Sequence, residues 1–307
     1  MRRDHWQRRI AELDPDTDYE RISRLVSQYE FSWDIMQALS FALFRTYAVP
    51  SIGKLLYETG EFTTDTQRRH DDTVLILEHI SVHGMETDPG RSAIRRMNQM
   101  HGRYNITNDE MLYVLATFVV TPVRWVQQYG KRALTEAEIR AGVHTYRRLG
   151  ALMGIHDIPR TFADFAAFMD DYETQHFRPN PYSTAVADAT LELFATFYPR
   201  ILRPAVRRFS RAILDDHLRS ALGYRGIPKW QRSAAAWALR LRGQFAGLLP
   251  ARRRPFRIAE LRHRVRSYPG GYLIEHLGTF EPELAMTADR KNIGHRSVDS
   301  THAPVRS

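Results

Sequence analysis

The stretch that decides the fold is Asp88–Glu110, DPGRSAIRRMNQMHGRYNITNDE. It opens on an Asp-Pro pair, which predicts the start of a helix because aspartate can cap a helix and proline suits its first turn. Helical spacing then places Ile94, Met97 and His101 on one face. The imidazole therefore points in the direction of the apolar side chains.

A second helix is predicted directly after this one. Gly102 offers a stop for the first helix, and the capping box Thr107–Glu110 opens the next. An imidazole aimed into an apolar region just before a helix break is either a hydrogen-bonded core histidine or a metal ligand. From spacing alone, the role of a hydrogen-bonded core histidine is favoured for His101.

The rest of the chain also carries helical periodicity, with no alternating strand pattern and no internal repeat. Residues 1–17 are a charged lead-in, Pro122 should kink its helix, and the residues beyond about 283 have a disordered composition. An all-α fold is predicted. The expected helices cover residues 18–29, 32–46, 51–59, 66–82, 111–128, 135–153, a segment opened by 159–161, and 184–197, 199–222 and 228–247.

The helix predicted over residues 66–82 carries polar side chains on its inward edge. Arg69 and Thr73 share a stripe with Ile76 and Ile80, and Asp72 lies beside it. Buried polar and charged groups are costly unless they are hydrogen-bonded. Partners for these three polar side chains are therefore expected.

The amino-acid composition limits which ligands and nucleophiles the protein can use. The 307 residues, 43% of them hydrophobic, suffice for a substantial core in one large or two small domains. With no cysteine, disulfides, thiolate ligands and cysteine nucleophiles are excluded, which leaves His, Asp and Glu to hold any metal. No apolar run is long enough to span a membrane, and the charged start lacks a signal-peptide core, so we expect a cytoplasmic protein.

Motifs for other enzyme classes are absent from the sequence. There is no G-x-S-x-G elbow, phosphate loop or dinucleotide fingerprint, so hydrolase, nucleotidase and dehydrogenase functions have no support. His79 and His83 have a spacing that can chelate zinc on a helix. A zincin, however, needs glutamate directly after the first histidine, and Ile80 occupies that position.

The net charge of +9 is concentrated in one region. Residues 199–266 hold 18 of the 44 Lys and Arg residues but only 3 of the 35 Asp and Glu residues. Such asymmetry indicates an anionic partner, either a lipid surface or nucleic acid, or else a solvated basic face. No nucleic-acid-binding motif accompanies it, which disfavours nucleic acid. Residues 230–249 read as a cationic amphipathic helix, which either docks on the protein body or lies peripherally on a membrane.

Several short motifs follow one another along the chain. They are Gly60, Arg69-x-x-Asp72-Thr73, Arg96-x-x-x-x-His101, Trp125, Tyr129-Gly130-x-Arg132-x-Leu134-Thr135, Leu149-Gly150, Ile158-Pro159 and Tyr268-Pro269-x-Gly271-Tyr272. Their order and spacing resemble the MpaB and latex-clearing-protein (rubber oxygenase) family of haem-dependent oxygenases. The resemblance covers roughly residues 18–176, with a separate patch near 268–278. It implies a globin-like helical core with additional flanking helices.

The resemblance also implies a domain plan. Residues 18–282 would form a single all-helical domain, in which 18–176 is the family core and 177–282 is a basic helical half packed on it. Residues 1–17 would precede this domain, and residues 283–307 would be a disordered tail.

Site residues are implied position by position. His101 matches the histidine that is the proximal ligand of the haem iron in the family, so haem b is the expected cofactor. Arg69 and Thr73 match residues on the distal side. Rubber oxygenases have, just before that threonine, a lysine that can ligate the iron at rest. Here Asp72 occupies the position, which argues against a six-coordinate resting state and a rubber-type substrate. Asp72 would act at the distal site or hold the helix by pairing with Arg69 or another basic residue.

Three functions are the alternatives. The first is a haem b oxygenase that acts with O₂ on a hydrophobic, unsaturated or isoprenoid-like substrate in an apolar cavity. The second is a non-catalytic haem or lipid carrier. The third is a basic interaction module that uses residues 199–266 on anionic lipid or nucleic acid.

Overall fold

The computed structural model describes residues 1–224 and 226–278, and in this part of the chain every regular element is helical. The all-α prediction is confirmed; the globin-like arrangement of the core stays a prediction. The predicted tail, residues 283–307, lies outside the described residues. The fourteen α-helices of the described part are α1 His5–Ala11, α2 Tyr19–Leu25, α3 Ser32–Tyr47, α4 Pro50–Glu58, α5 Glu61–Thr64, α6 Thr66–His83, α7 Asp88–His101, α8 Asn108–Tyr129, α9 Glu136–Leu152, α10 Phe162–His176, α11 Pro181–Thr196, α12 Arg203–Ile213, α13 Asp216–Ala221 and α14 Lys229–Leu248.

Capping boxes set the starts of the central helices. At α8 the Thr107 hydroxyl accepts from the backbone N–H of Glu110 at 3.2 Å, and the Glu110 carboxylate accepts from the N–H of Thr107 at 2.9 Å. The same reciprocal pair opens α9 at Thr135 and α10 at Thr161. Helix α7 differs from expectation: Thr87 caps it, accepting from Gly90 N–H, and the aspartate that follows is its first residue.

The other differences from the expected boundaries have local causes. The first predicted helix ends as a π-helical turn, Val26–Glu30. The helix predicted over 199–222 is broken, because Asp215 adopts an extended backbone and caps α13 by accepting from Leu218 N–H at 2.9 Å. Pro122 lies inside α8 without ending it.

Helix α8 runs through the centre of the molecule. It packs along α3 and also contacts α9, α10 and α14, and its residues Tyr113, Ala116 and Val120 are fully buried. The basic half packs on this core, since α11 lies on α4 and α14 lies on α8. Gly243 of α14 allows the close approach, because a side chain there would meet backbone atoms of the α8 end.

Residues 256–278, here called the C-terminal strap, lie across α6 and α7. The Glu78 carboxylate accepts from Ala259 N–H at 3.0 Å, and Asp71 accepts from Arg266 N–H and Ser267 N–H at 2.9 Å. From α7, the buried Arg96 donates through Nε to the Leu277 carbonyl at 2.6 Å. Charged side chains of these two helices, Asp71 and Arg96 buried and Glu78 half-buried, thus hold the strap in place.

Candidate functional site

A cavity of about 260 Å³ lies between α3, α4, α6, α7, α8 and α9. Its walls are mostly aliphatic and aromatic. They include Leu43, Leu55, Leu77, Val114, Phe118 and Leu149. An enclosed apolar space with a few polar groups is the usual form of a small-molecule site.

His101 is the last residue of α7 and lines this cavity. Its Nδ1 atom is buried with no hydrogen-bond partner among the described residues. Burial, together with the nearby charge of Arg69, lowers the pKa of His101 to about 4. The imidazole is therefore neutral at pH 7, and this cavity-lining ring has lone-pair electrons available for a ligand.

Arg69 and Thr73 lie one turn apart on α6 and line the same cavity. The Arg69 guanidinium donates to the Thr73 hydroxyl, and that hydroxyl donates to the Arg69 carbonyl at 2.9 Å. The guanidinium carbon also lies 5.1 Å from the centre of the Phe62 ring, within cation–π range. In the described residues Arg69 has no carboxylate partner, so its charge is available to the cavity.

Asp72 is buried in the wall between these two residues and the strap. Its Oδ1 atom accepts a hydrogen bond from the hydroxyl of Tyr268, not from Arg69. Burial raises the pKa of Asp72 above its ordinary value, although the Tyr268 hydrogen bond opposes the shift. The Asp72 carboxylate thus attaches the strap to α6.

A second cavity of about 290 Å³ adjoins the first. The two share a wall built from α3, α6, α8 and α9, which includes Leu43, Thr73, Leu77, Phe118, Tyr146 and Leu149. Sequence reasoning missed this cavity and its polar residues Tyr146 and Arg24. The inward position of Tyr146 could have been found from the apolar stripe of α9, whereas nothing in the sequence around Arg24 distinguishes it from a surface arginine.

Two other motif residues, Arg132 and Trp125, support the fold and do not line the cavity of His101. Arg132 donates to Glu138 at 2.7 Å and to Glu30 at 3.2 Å, and Trp125 packs between Phe41 and Tyr129. The His79 and His83 rings lie 4.3 Å apart on α6. Within residues 1–224 and 226–278 no group of three or more His, Asp or Glu side chains could hold a metal ion.

A family model described as "ER-bound oxygenase mpaB/B'/Rubber oxygenase, catalytic domain" matches residues 31–248. The chain belongs to this mpaB and rubber oxygenase family. The match contains α3 to α14, and so includes Arg69, Asp72, Thr73 and His101. It also continues well past residue 176, through most of the basic half.

Curated relatives of the mpaB family come from fungi. "ER-bound oxygenase mpaB'" of Penicillium brevicompactum is 28% identical over 72% of this chain and 56% of its own length. "ER-bound oxygenase mpaB" of Penicillium roqueforti is 26% identical over 68% of this chain and 76% of its own length. The chain thus spans a little over half of the first relative and three quarters of the second. Membership supports an oxygenase, an enzyme that takes a substrate and O₂.

The relatives are named as bound to the endoplasmic reticulum. Among the helices described for this chain, none combines the length and the apolar character needed to cross a bilayer. Whether this chain contacts a membrane is therefore a question for its surface.

Proposed function

We propose that this protein is a haem b-dependent oxygenase that acts with O₂ on a hydrophobic, unsaturated substrate, with His101 as the proximal iron ligand. The observation that carries the proposal is the neutral imidazole of His101, which lines an apolar cavity and whose buried Nδ1 has no hydrogen-bond partner in the described part of the chain. One axial histidine in an apolar pocket is a donor set that suits a haem.

The residues present fit this cofactor. His101 would hold the iron, and the aliphatic walls would contact the porphyrin faces. When bound, haem supplies an iron with an open position for O₂ and the electron-transfer chemistry that amino-acid side chains lack. The protein supplies the ligand, orientation and exclusion of water.

The distal hydrogen bonds assign different tasks to Arg69 and Thr73. The single proton of the Thr73 hydroxyl goes to the Arg69 carbonyl, and its oxygen accepts from the guanidinium. Thr73 is therefore a positioning residue. Arg69 keeps further N–H donors, since a guanidinium has five, and these are available to a distal oxygen or a propionate.

The test is the absorption spectrum of the purified protein. Wild-type protein should show a Soret band and about one haem per chain, and His101→Ala should lose both. His144→Ala is the matched control, because His144 lies at the surface beside Asp16 and should leave the band unchanged. Wild-type protein that stays colourless after expression with added haemin would refute the proposal, as would an unaltered Soret band in a folded His101→Ala variant.

A haem or lipid carrier is the second candidate. It is favoured by Asp72, whose carboxylate is engaged by Tyr268 and occupies the position of the family's iron-ligating lysine. Oxygen consumption with candidate alkenes separates the two functions. Turnover supports the oxygenase, whereas a ferrous protein that binds O₂ without consuming alkene supports the carrier.

Peripheral membrane contact is the third element of the proposal. Helix α14 docks on the protein through Leu239 and Gly243 and leaves an apolar stripe outward. On this stripe Trp230, Trp237 and Phe245 are 69%, 63% and 66% exposed. Tryptophan with flanking cations is typical of helices that lie in a membrane interface.

Basic side chains lie beside the exposed apolar stripe of α14. Lys229 and Arg240 lie beside it by helical spacing, and neither makes an ion pair within the described residues. The charge is complementary to an anionic lipid surface, which is therefore the proposed occupant. Co-sedimentation with phosphatidylserine vesicles should be strong at low salt, weaker at high salt, and reduced about tenfold by the double change Trp237→Ser and Phe245→Ser.

The control is Tyr57→Ser, which removes an exposed aromatic ring from α4. Vesicle binding that survives the double change would refute this contact. A concentration-dependent dimer that the double change abolishes would assign the stripe to a second copy of the chain, and salt-sensitive retention on DNA instead of vesicles would assign it to nucleic acid.

A further inference from the structure

The second cavity, like the cavity of His101, combines an apolar wall with a few charged side chains. Its walls are apolar where it meets the haem cavity, at Leu77 and Phe118, but Arg24, Glu20 and several serines line other parts. A cavity with one apolar region and one charged region suits an elongated amphiphile better than a uniformly greasy ligand.

Arg24 of α2 is the charged group that lacks a protein partner. Its Nε atom is buried and makes no hydrogen bond with any described residue. No carboxylate of the described part lies within ion-pair distance of its guanidinium. At this half-buried position the Nε–H is removed from water without a replacement acceptor, which is costly.

The acidic residues of this cavity are already engaged elsewhere. Glu20, one turn before Arg24, accepts from Met85 N–H at 3.1 Å. Glu78 accepts from two backbone N–H groups of the strap, and Glu138 pairs with Arg132 at 2.7 Å. None of these three carboxylates accepts a hydrogen bond from Arg24, so its guanidinium keeps donors for a ligand in the cavity.

Tyr146 provides a polar group at the shared wall. It lines both cavities, and burial raises the pKa of its hydroxyl to about 12, so it remains a neutral donor. This hydroxyl makes no hydrogen bond to the described residues. An oxygen atom of a ligand that passes from one cavity to the other could therefore accept from it.

We propose that the second cavity binds the carboxylate end of an unsaturated, long-chain organic acid, with Arg24 as its counter-ion. The chain then follows the apolar wall past Tyr146 into the cavity of His101. This assignment rests on the proposed oxygenase function for the fate of the chain, but binding of the acid does not require that reaction. Arg24 and a carboxylate can form paired, charge-assisted hydrogen bonds, which a neutral alcohol or ester cannot replace.

The experiment measures binding in the protein as purified, by displacement of a fluorescent fatty acid. The probes are cis-9-octadecenoic acid, the corresponding alcohol and the methyl ester, all below their aggregation concentrations. Wild-type protein should bind the acid at least tenfold more tightly than the alcohol or the ester. Arg24→Met should abolish that preference while leaving alcohol binding within about twofold.

Two control variants test which arginine binds the carboxylate of the acid. Arg21→Met removes an exposed arginine from the same helix and should preserve the preference. Arg264→Met removes a second arginine that lines the cavity, where its guanidinium lies 5.2 Å from the Phe197 ring centre and 3.6 Å from Met36 Sδ. A preference abolished by Arg264→Met but kept in Arg24→Met would overturn the assignment.

Equal affinity of wild-type protein for acid, alcohol and ester would also overturn it. The outcomes are separable from those of the oxygenase proposal. Colourless protein that still prefers the acid would refute haem binding and support the acid site. Haem-loaded protein that consumes O₂ with neutral alkenes but shows no preference for the acid would support the oxygenase and refute the acid site.

Discussion

The burial of His101 predicts an acid sensitivity that can be assigned to one residue. The ordinary pKa of histidine is 6.5, and burial beside Arg69 lowers the pKa of His101 to about 4 in the folded protein. Below pH 6.5 the unfolded chain takes up a proton at this position that the folded protein accepts only near pH 4. Because protons favour the unfolded state in that window, stability falls as the pH falls through it.

The size of the effect follows from the two pKa values. At pH 4.5 the difference amounts to about 2.5 kcal/mol of unfolding free energy, since each unit of pKa corresponds to about 1.4 kcal/mol. At pH 7.5 the contribution is close to zero. This is a large part of the total stability of a typical domain, which is about 5–15 kcal/mol.

The assay is urea denaturation of the haem-free protein at pH 7.5 and pH 4.5. Wild-type protein and His101→Gln should both lose stability on acidification, because other groups also titrate, but the variant should lose about 2.5 kcal/mol less. His156→Gln, a change at an exposed histidine whose side chain has no ion-pair partner among the described residues, should lose as much as wild type. If wild-type protein, His101→Gln and His101→Leu all lost the same unfolding free energy between pH 7.5 and pH 4.5, the reasoning would be refuted. The imidazole of His101 would then not be desolvated in the folded protein.

Two further predictions concern packing. Alanine at Gly243 would place its Cβ 2.2 Å from the Tyr129 carbonyl oxygen, a backbone atom, whereas at Gly247 the nearest atom would be 3.6 Å away. In thermal or urea unfolding, Gly243→Ala should therefore lower the free energy of unfolding by about 1–3 kcal/mol, and Gly247→Ala should raise it by up to about 1 kcal/mol. A change of the same sign in both variants would contradict the close packing of α14. Tyr268→Phe should destabilise the protein by about 1–3 kcal/mol at neutral pH, because Asp72 loses its hydroxyl donor, and an unchanged unfolding midpoint would show that the strap does not depend on this bond.

Much of the candidate site could be predicted because its signals are local. The inward direction of His101 follows from helical spacing along α7, and the cost of burying Arg69 and Thr73 indicated that they need partners. The structure supplies that pair from within one turn of α6. Capping boxes likewise lie within four residues, so Thr107–Glu110 and Thr135–Glu138 mark the starts of α8 and α9, although α8 begins three residues before the expected range 111–128.

The parts that sequence reasoning missed depend on residues that are distant in the chain. Asp72 is bonded to Tyr268, which lies 196 positions away, whereas the sequence predicts either a distal-site role or a pairing with Arg69 or another basic residue. The predicted helix 199–222 is broken because Asp215, in addition to capping α13, forms an ion pair with Arg45 of α3. Neither Tyr268 nor Arg45 could be identified as a partner from residue spacing in the sequence.

The sequence by itself determined an all-helical protein with a histidine on an apolar face and a strongly basic second half. These properties depend on periodicity, caps and composition, which are complete within a few residues of the chain. Only the tertiary structure decided which charges are neutralised, that the strap crosses α6 and α7, and that a second cavity lies beside Tyr146, where Arg24 meets no carboxylate of the described residues. The physical reason is that burial and pairing are set by which distant surfaces pack together.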